Sequence, residues 1–186
     1  MKLAPRRWHA GDLLTLGRLA LTLPFLWSFA AGVGGDRGAG WAAGLLFAVI
    51  AASDYFDGPL ARRAGRASDR GRFWDNGADI LFIEGALVTA VAVDLAPWWV
   101  PAAIGVSFAY YVVDSLRRTR ARPSLIASRF GHWGGVGNYV LVGVLTYNDA
   151  AAIHLLSRDF LGVLYALVLL YSLGAIAARW AGRDAV

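Results

Sequence analysis

Six stretches of mostly apolar residues divide the chain, and each approaches the roughly 20 residues a helix needs to cross the hydrocarbon core of a bilayer. They fall at roughly 12–33, 40–57, 75–96, 98–117, 134–152 and 159–179, the second being short unless it continues past Asp57. In lipid, every backbone polar group must be satisfied within the protein, so consecutive runs of this length imply helices. The charged share of the 186 residues is 17% and the hydrophobic share 58%, against about a quarter charged in soluble domains. The expected fold is an all-α integral membrane protein with six transmembrane helices. Length suits a single domain over 1–186, with a short basic juxtamembrane segment at 1–11. Lys2, Arg6 and Arg7 resemble the start of a signal peptide, but the apolar run behind them is too long, and a retained first span is expected. The absence of cysteine excludes disulfides, thiolate metal sites and cysteine nucleophiles. The net charge of +5 fits anionic lipid headgroups, and the hydropathy argues against a soluble nucleic-acid-binding protein.

Lys and Arg collect on one side of this predicted topology. Lys2, Arg6 and Arg7 are joined by Arg62, Arg63, Arg66, Arg70 and Arg72, then Arg117, Arg118, Arg120, Arg122 and Arg129, then Arg179 and Arg183. The other side receives only Arg37 and Arg158, while Arg18 lies inside the first span. The positive-inside rule therefore places both termini in the cytoplasm. Trp41, Trp98 and Trp99 fall at predicted outer ends, and Trp8, Trp74, Trp133 and Trp180 at inner ends, where a ring with one wet edge is favoured.

The chemistry is concentrated at the inner ends of the second and third spans. Asp54, Asp57, Gly58 and Ala61 are spaced i, i+3, i+4, i+7 and share one helix face. Asp75 and Asp79 share another, with Gly71 one turn before them. The short connection predicts that these two helices are antiparallel neighbours. One pair of acids at a helix end is ordinarily solvated surface. Two pairs on adjacent spans repel and desolvate at a cost, and call for a neutralising partner. Arginines of the intervening loop are one candidate, and divalent cations with oxygen ligands are the stronger. Two such ions about 4 Å apart would clamp a pyrophosphate. Gly58 and Ala61 would leave room for a nucleotide, and Arg62 could neutralise a phosphate oxygen. Pro59 either kinks the second helix or ends it.

This segment resembles the signature of the CDP-alcohol phosphotransferase family: Asp-x-x-Asp-Gly-x-x-Ala-Arg, eight residues, Gly, three residues, Asp, three residues, Asp. Asp54, Asp57, Gly58, Ala61, Arg62, Gly71, Asp75 and Asp79 match every fixed position. Upstream, Asp12, Thr15, Arg18 and Pro24 stand in the pattern Asn-x-x-Thr-x-x-Arg followed by proline, with Asp12 where the family commonly has Asn. The resemblance implies six helices around a cytoplasm-facing cavity, and phospholipid synthesis in the cell (inner) membrane. It implies metal ligation by Asp54, Asp57, Asp75 and Asp79, with two Mg²⁺ or Mn²⁺ ions. Asp79 would also be the general base on the acceptor hydroxyl. Gly58, Ala61, Arg62, Gly71 and Thr15 would contact the CDP moiety of a CDP-linked lipid donor. A homodimer is expected on the same ground.

The family shares its donor and varies its acceptor. Asp114-Ser115-Leu116-Arg117 and Ser128-Arg129-Phe130-Gly131-His132 are locally similar to segments of members that use glycerol phosphate, with His132 where Lys is common. That similarity makes Arg117, Arg129 and His132 the acceptor-binding candidates and glycerol 3-phosphate the expected acceptor. Inositol, inositol phosphate, serine or a second lipid remain alternatives, and each arginine also reads as a topology signal. A small cation channel is the non-enzyme alternative, but its acids would be expected near the midplane rather than at one end. Glu84 either faces the cavity or pairs with Arg18.

Overall fold

A computed structural model describes residues 10–63, 69–119 and 129–182; within these, the side chains of 10–14, 56–63, 69–73 and 129–130 are not among those described. Six α-helices account for nearly all of it: α1 (Ala10–Val33), α2 (Arg37–Arg63), α3 (Asp69–Ala92), α4 (Trp99–Arg118), α5 (Arg129–Leu145) and α6 (Arg158–Trp180). A π-helical turn, Thr146–Ala150, extends α5. No strand occurs among the described residues.

The apolar runs became helices, with differences at their ends. The second is longer than predicted, because α2 continues through Pro59 to Arg63. The third starts earlier, at Asp69, and stops at Ala92, before a turn in which Asp94 adopts a positive φ of 56°. Four helices contain stretches long and apolar enough to cross a membrane: Thr15–Val33, Arg37–Tyr55, Trp99–Arg118 and Arg158–Trp180. Among the described residues, α3 and α5 do not. Asp75, Asp79 and Glu84 interrupt α3, and α5 has 17 residues before the π turn.

The bundle is apolar on its outer faces as well as in its core. Phe25, Phe29, Phe82, Leu87, Leu145 and Leu161 are fully buried, yet Leu23, Trp27, Leu45 and Leu170 are exposed on helix faces. Apolar exposure on this scale is a liability in water and a match for lipid tails. Trp41, Trp74, Trp98, Trp133 and Trp180 are all exposed near helix ends, as an interfacial belt requires.

α1 is the central element and packs against both α2 and α3, while α4 packs on α6. α2 and α3 also meet directly through side chains, with the Phe47 and Phe82 ring centroids 6.4 Å apart. α1 and α2 approach closely where Gly32 and Gly40 meet the π turn. A Cβ on Gly32 would lie 2.6 Å from the Gly40 Cα and 2.8 Å from the Ala150 carbonyl oxygen. Small residues at such crossings let helix backbones touch in a medium that offers little hydrophobic driving force. The Tyr147 hydroxyl ties the π turn to α2 by donating to the Gly44 carbonyl at 2.9 Å.

Candidate active site

Asp54 lies on the C-terminal half of α2, and Asp75 and Asp79 lie one turn apart near the start of α3. One carboxylate oxygen from each comes within 4.8 Å of the others, a spacing that could hold a metal ion. Three half-buried carboxylates and no nitrogen or sulfur donor suit a hard divalent cation.

The cluster is assembled around Arg18, which reaches in from α1. The Arg18 side chain is 0% exposed. Its Nη2 is 3.3 Å from Asp54 Oδ1, its Nη1 is 3.3 Å from Asp75 Oδ1, and Nη1 is also paired with Asp79 Oδ1. Thr15, one turn earlier on α1, donates to Asp75 Oδ1 at 3.5 Å. From the other side, the Tyr139 hydroxyl on α5 donates to Asp79 Oδ1 at 3.1 Å. Tyr139 is held by stacking on Phe82, with ring centroids 5.6 Å apart, and by Phe47 at 6.5 Å. The cluster thus draws on α1, α2, α3 and α5.

Arg18 and Tyr139 were not assigned roles from sequence. The Thr15-x-x-Arg18 spacing is the one available signal for the first, and no motif in the sequence marks Tyr139. Arg18 pairs with the site acids rather than with Glu84. Glu84 instead lies against α4, where a Cβ on Gly105 would be 3.3 Å from its Oε1.

Asp54 and Asp79 stand at the wall of a cavity of about 1210 Å³. Asp54, Asn76, Asp79, Tyr139 and His132 are among its polar lining residues, while Ile80, Ile83, Ile104, Val140 and Val144 make an apolar stretch. The cavity follows α5 from Gly131 to Asn148, roughly 25 Å at the helical rise of about 1.5 Å per residue.

A second charged group lines the same cavity. Arg179, on the last turn of α6, is 6% exposed. Its Nη1 is 2.8 Å from Asp114 Oδ2 and 3.4 Å from Ser115 Oγ on α4, and its guanidinium lies 4.4 Å from the Tyr111 ring centroid. Arg118 braces the same carboxylate, with Nε 2.9 Å from Asp114 Oδ1, and donates to the Arg179 carbonyl at 3.3 Å. From sequence, Arg179 read only as a topology signal.

Of the acceptor candidates, His132 lines the cavity, and Arg117 is exposed at the end of α4 and is not part of its lining. The side chain of Arg129, the first residue of α5, lies outside the described residues. The same holds for the side chains of Asp57, Gly58, Ala61 and Arg62 on α2 and of Gly71 on α3.

A family model described as CDP-alcohol phosphatidyltransferase matches residues 8–180. The chain belongs to this family. The match takes in all six helices and both sets of site residues. With four helices long and apolar enough to cross a bilayer, this CDP-alcohol phosphatidyltransferase family member is a multi-pass membrane protein.

Among curated relatives, the chain is 39% identical over 89 residues to a Streptomyces coelicolor protein named cardiolipin synthase (CMP-forming), covering 47% of this chain and 41% of the relative. It is 37% identical over 92 residues to a Mycobacterium tuberculosis protein named probable phosphatidylglycerophosphate synthase, covering 50% and 44%. These two alignments span less than half of each relative's length. An Escherichia coli protein named CDP-diacylglycerol--glycerol-3-phosphate 3-phosphatidyltransferase is 32% identical over 184 residues, covering 94% of this chain and 91% of the relative.

Proposed function

We propose that this protein transfers a phosphatidyl group from a CDP-linked diacylglycerol to sn-glycerol 3-phosphate, releasing CMP, as a step of phospholipid synthesis. The observation that carries the reading is the convergence of Asp54, Asp75 and Asp79 within 4.8 Å, two of them, Asp54 and Asp79, at the wall of a long, largely apolar cavity. Such a site suits a substrate that joins a pyrophosphate to an acyl chain. The near full-length E. coli relative, by its name, supports glycerol 3-phosphate as the acceptor.

In this reading Asp54, Asp57, Asp75 and Asp79 hold two Mg²⁺ or Mn²⁺ ions. When bound, the metal supplies positive charge to the pyrophosphate and to the departing CMP. The acceptor hydroxyl oxygen bonds to the lipid-side phosphorus as the bond from that phosphorus to the CMP oxygen breaks, and the hydroxyl proton passes to Asp79. A hydroxyl that must attack at neutral pH needs such a base. Tyr139 orients Asp79 for this task through its hydrogen bond to Oδ1. Thr15, Gly58, Ala61, Arg62 and Gly71 contact the CDP moiety, and the apolar stretch from Ile80 to Val144 accommodates a donor acyl chain.

Arg179, His132 and Arg129 would meet the acceptor phosphate, since a planar guanidinium matches phosphate oxygens and makes charge-assisted bonds. All six helices cross the membrane in this account, with the cavity facing the cytoplasm and the protein in the cell membrane as a single domain. A cysteine placed at Asp36, in the α1–α2 turn, would then be labelled from outside intact cells, and one at Ala67 would not. The reverse pattern would overturn the orientation.

A second reading takes a lipid alcohol as acceptor. It draws on the length of the cavity and on the S. coelicolor relative. Purified protein given CDP-diacylglycerol and equal concentrations of sn-glycerol 3-phosphate, inositol phosphate, inositol, serine or phosphatidylglycerol tests both. The proposal expects CMP release with glycerol 3-phosphate to exceed the others. Faster release with phosphatidylglycerol would favour the second reading instead.

A further inference from the structure

The carboxylate cluster carries a cation of its own. Arg18 stands on α1 between α2 and α3, wholly shielded from solvent, and its two terminal nitrogens serve three acids at once. The paired oxygens are Oδ1 of Asp54, Oδ1 of Asp75 and Oδ1 of Asp79. These are the same three residues whose carboxylates lie close enough to share a metal ion. A guanidinium does not lose its proton in a protein, so it yields a carboxylate only by breaking the ion pair. A divalent ion binds carboxylate oxygen at about 2.1 Å. At these acids it would stand within a few ångströms of the guanidinium, where like charges repel strongly even at protein-like dielectric.

We infer that Arg18 is the built-in counter-cation of the metal site. It holds the carboxylates of α2 and α3 together before a metal binds, releases carboxylate oxygens as the metal binds, and so lowers the site's affinity for that ion. Arg18 is a positioning residue in this scheme, because it acts through the carboxylates. The inference rests on the proposed metal site, and it goes beyond it by making metal affinity a property set on α1, away from the signature segment. It also gives the site a reversible character: without Arg18 the acids would repel one another when metal-free and grip the ion when loaded.

The test is Mn²⁺ binding to the purified full-length protein, followed by electron paramagnetic resonance, with thermal unfolding measured with and without Mn²⁺. Arg18→Gln is expected to tighten Mn²⁺ binding by about tenfold or more, because a repelling charge has left the site. It is also expected to lower the unfolding temperature of the metal-free protein and to enlarge the rise that Mn²⁺ produces. Unchanged or weaker Mn²⁺ affinity in Arg18→Gln would overturn the inference. If that variant does not fold, Arg18→Lys carries the same test. It keeps the charge but bridges with one nitrogen, and is expected to bind Mn²⁺ about threefold more tightly, since the weaker bridge yields more readily; no rise overturns the inference. Asp54→Asn separates the two claims. Wild-type protein that binds no Mn²⁺, or binding that Asp54→Asn leaves intact, refutes the metal site itself. Binding that Asp54→Asn abolishes and Arg18→Gln fails to tighten refutes only the role of Arg18.

Discussion

The Tyr139 hydroxyl donates to Asp79 Oδ1 at 3.1 Å, joining α5 to the acid proposed as the base. The ring is fixed by Phe82 and Phe47, so the hydroxyl is aimed rather than free to rotate away. Tyr139→Phe keeps the stacking and deletes the bond. A hydrogen bond to a charged group is typically worth about 1.5–3 kcal/mol, so turnover is expected to fall roughly tenfold or more. The KM for the CDP-lipid should change little. A change confined to KM would place Tyr139 in donor binding instead.

The converging carboxylates predict an absolute need for a divalent ion. Chelation should abolish activity, and Mg²⁺ or Mn²⁺ should restore it. Asp54→Asn and Asp57→Asn each remove a charged ligand and should reduce turnover by about a hundredfold or more, with the fold preserved by circular dichroism. Asp79→Asn should be equally severe, because an amide cannot take a proton. Near-normal rates in Asp79→Asn would remove its assignment as base.

The acids were legible in the sequence because helical spacing makes them so. Asp54 and Asp57 share a face, as do Asp75 and Asp79, and no apolar span places four acids together without cause. The partners of Arg18 were not legible. Arg18 lies 36 residues before Asp54 in the chain, and a lone arginine within a span does not state its partner. The packing of α1 against both α2 and α3 hid for the same reason, since no short-range spacing reports it. Arg179 and Asp114 failed differently. Each sits at a helix end among other arginines, where position alone cannot separate a buried ion pair from a topology signal. The helix ends moved at α3 and α5 because a positive-φ turn at Asp94 and a π turn at Thr146–Ala150 follow no apolar period.

The acceptor pocket makes a ranked prediction. Arg179 is buried in the cavity lining, His132 lines it more openly, and Arg117 is exposed away from it. Arg179→Gln should raise the KM for glycerol 3-phosphate by about tenfold or more, with little change for the CDP-lipid. His132→Ala should have a smaller effect, and Arg117→Ala should leave both constants within about twofold of wild type, as expected for an exposed charge. Asp114→Asn, which weakens the brace on Arg179 without removing it, should fall between. Equal effects from Arg117→Ala and Arg179→Gln would contradict this placement. Steady-state kinetics against each substrate supplies the comparison.

The crossing of α1, α2 and the π turn predicts a stability effect far from the chemistry. A side chain at Gly40 would collide with the Ala150 carbonyl. Gly40→Val should therefore destabilise by about 1–3 kcal/mol or more, the usual range for overpacking. A lower unfolding temperature in detergent, with metal dependence of the remaining activity unchanged, is the expected result. An unchanged unfolding temperature would mean the helices separate there at no cost.

The most direct test follows both products of a single reaction. Purified protein in mixed micelles receives CDP-diacylglycerol, radiolabelled sn-glycerol 3-phosphate and Mn²⁺, and aqueous CMP and lipid-soluble label are measured together. Phosphatidyl transfer at the Asp54–Asp75–Asp79 site predicts equal amounts of the two, and neither without acceptor, with chelator, or in Asp54→Asn. CMP released without matching lipid label, or both products formed at the wild-type rate in Asp54→Asn, would contradict it.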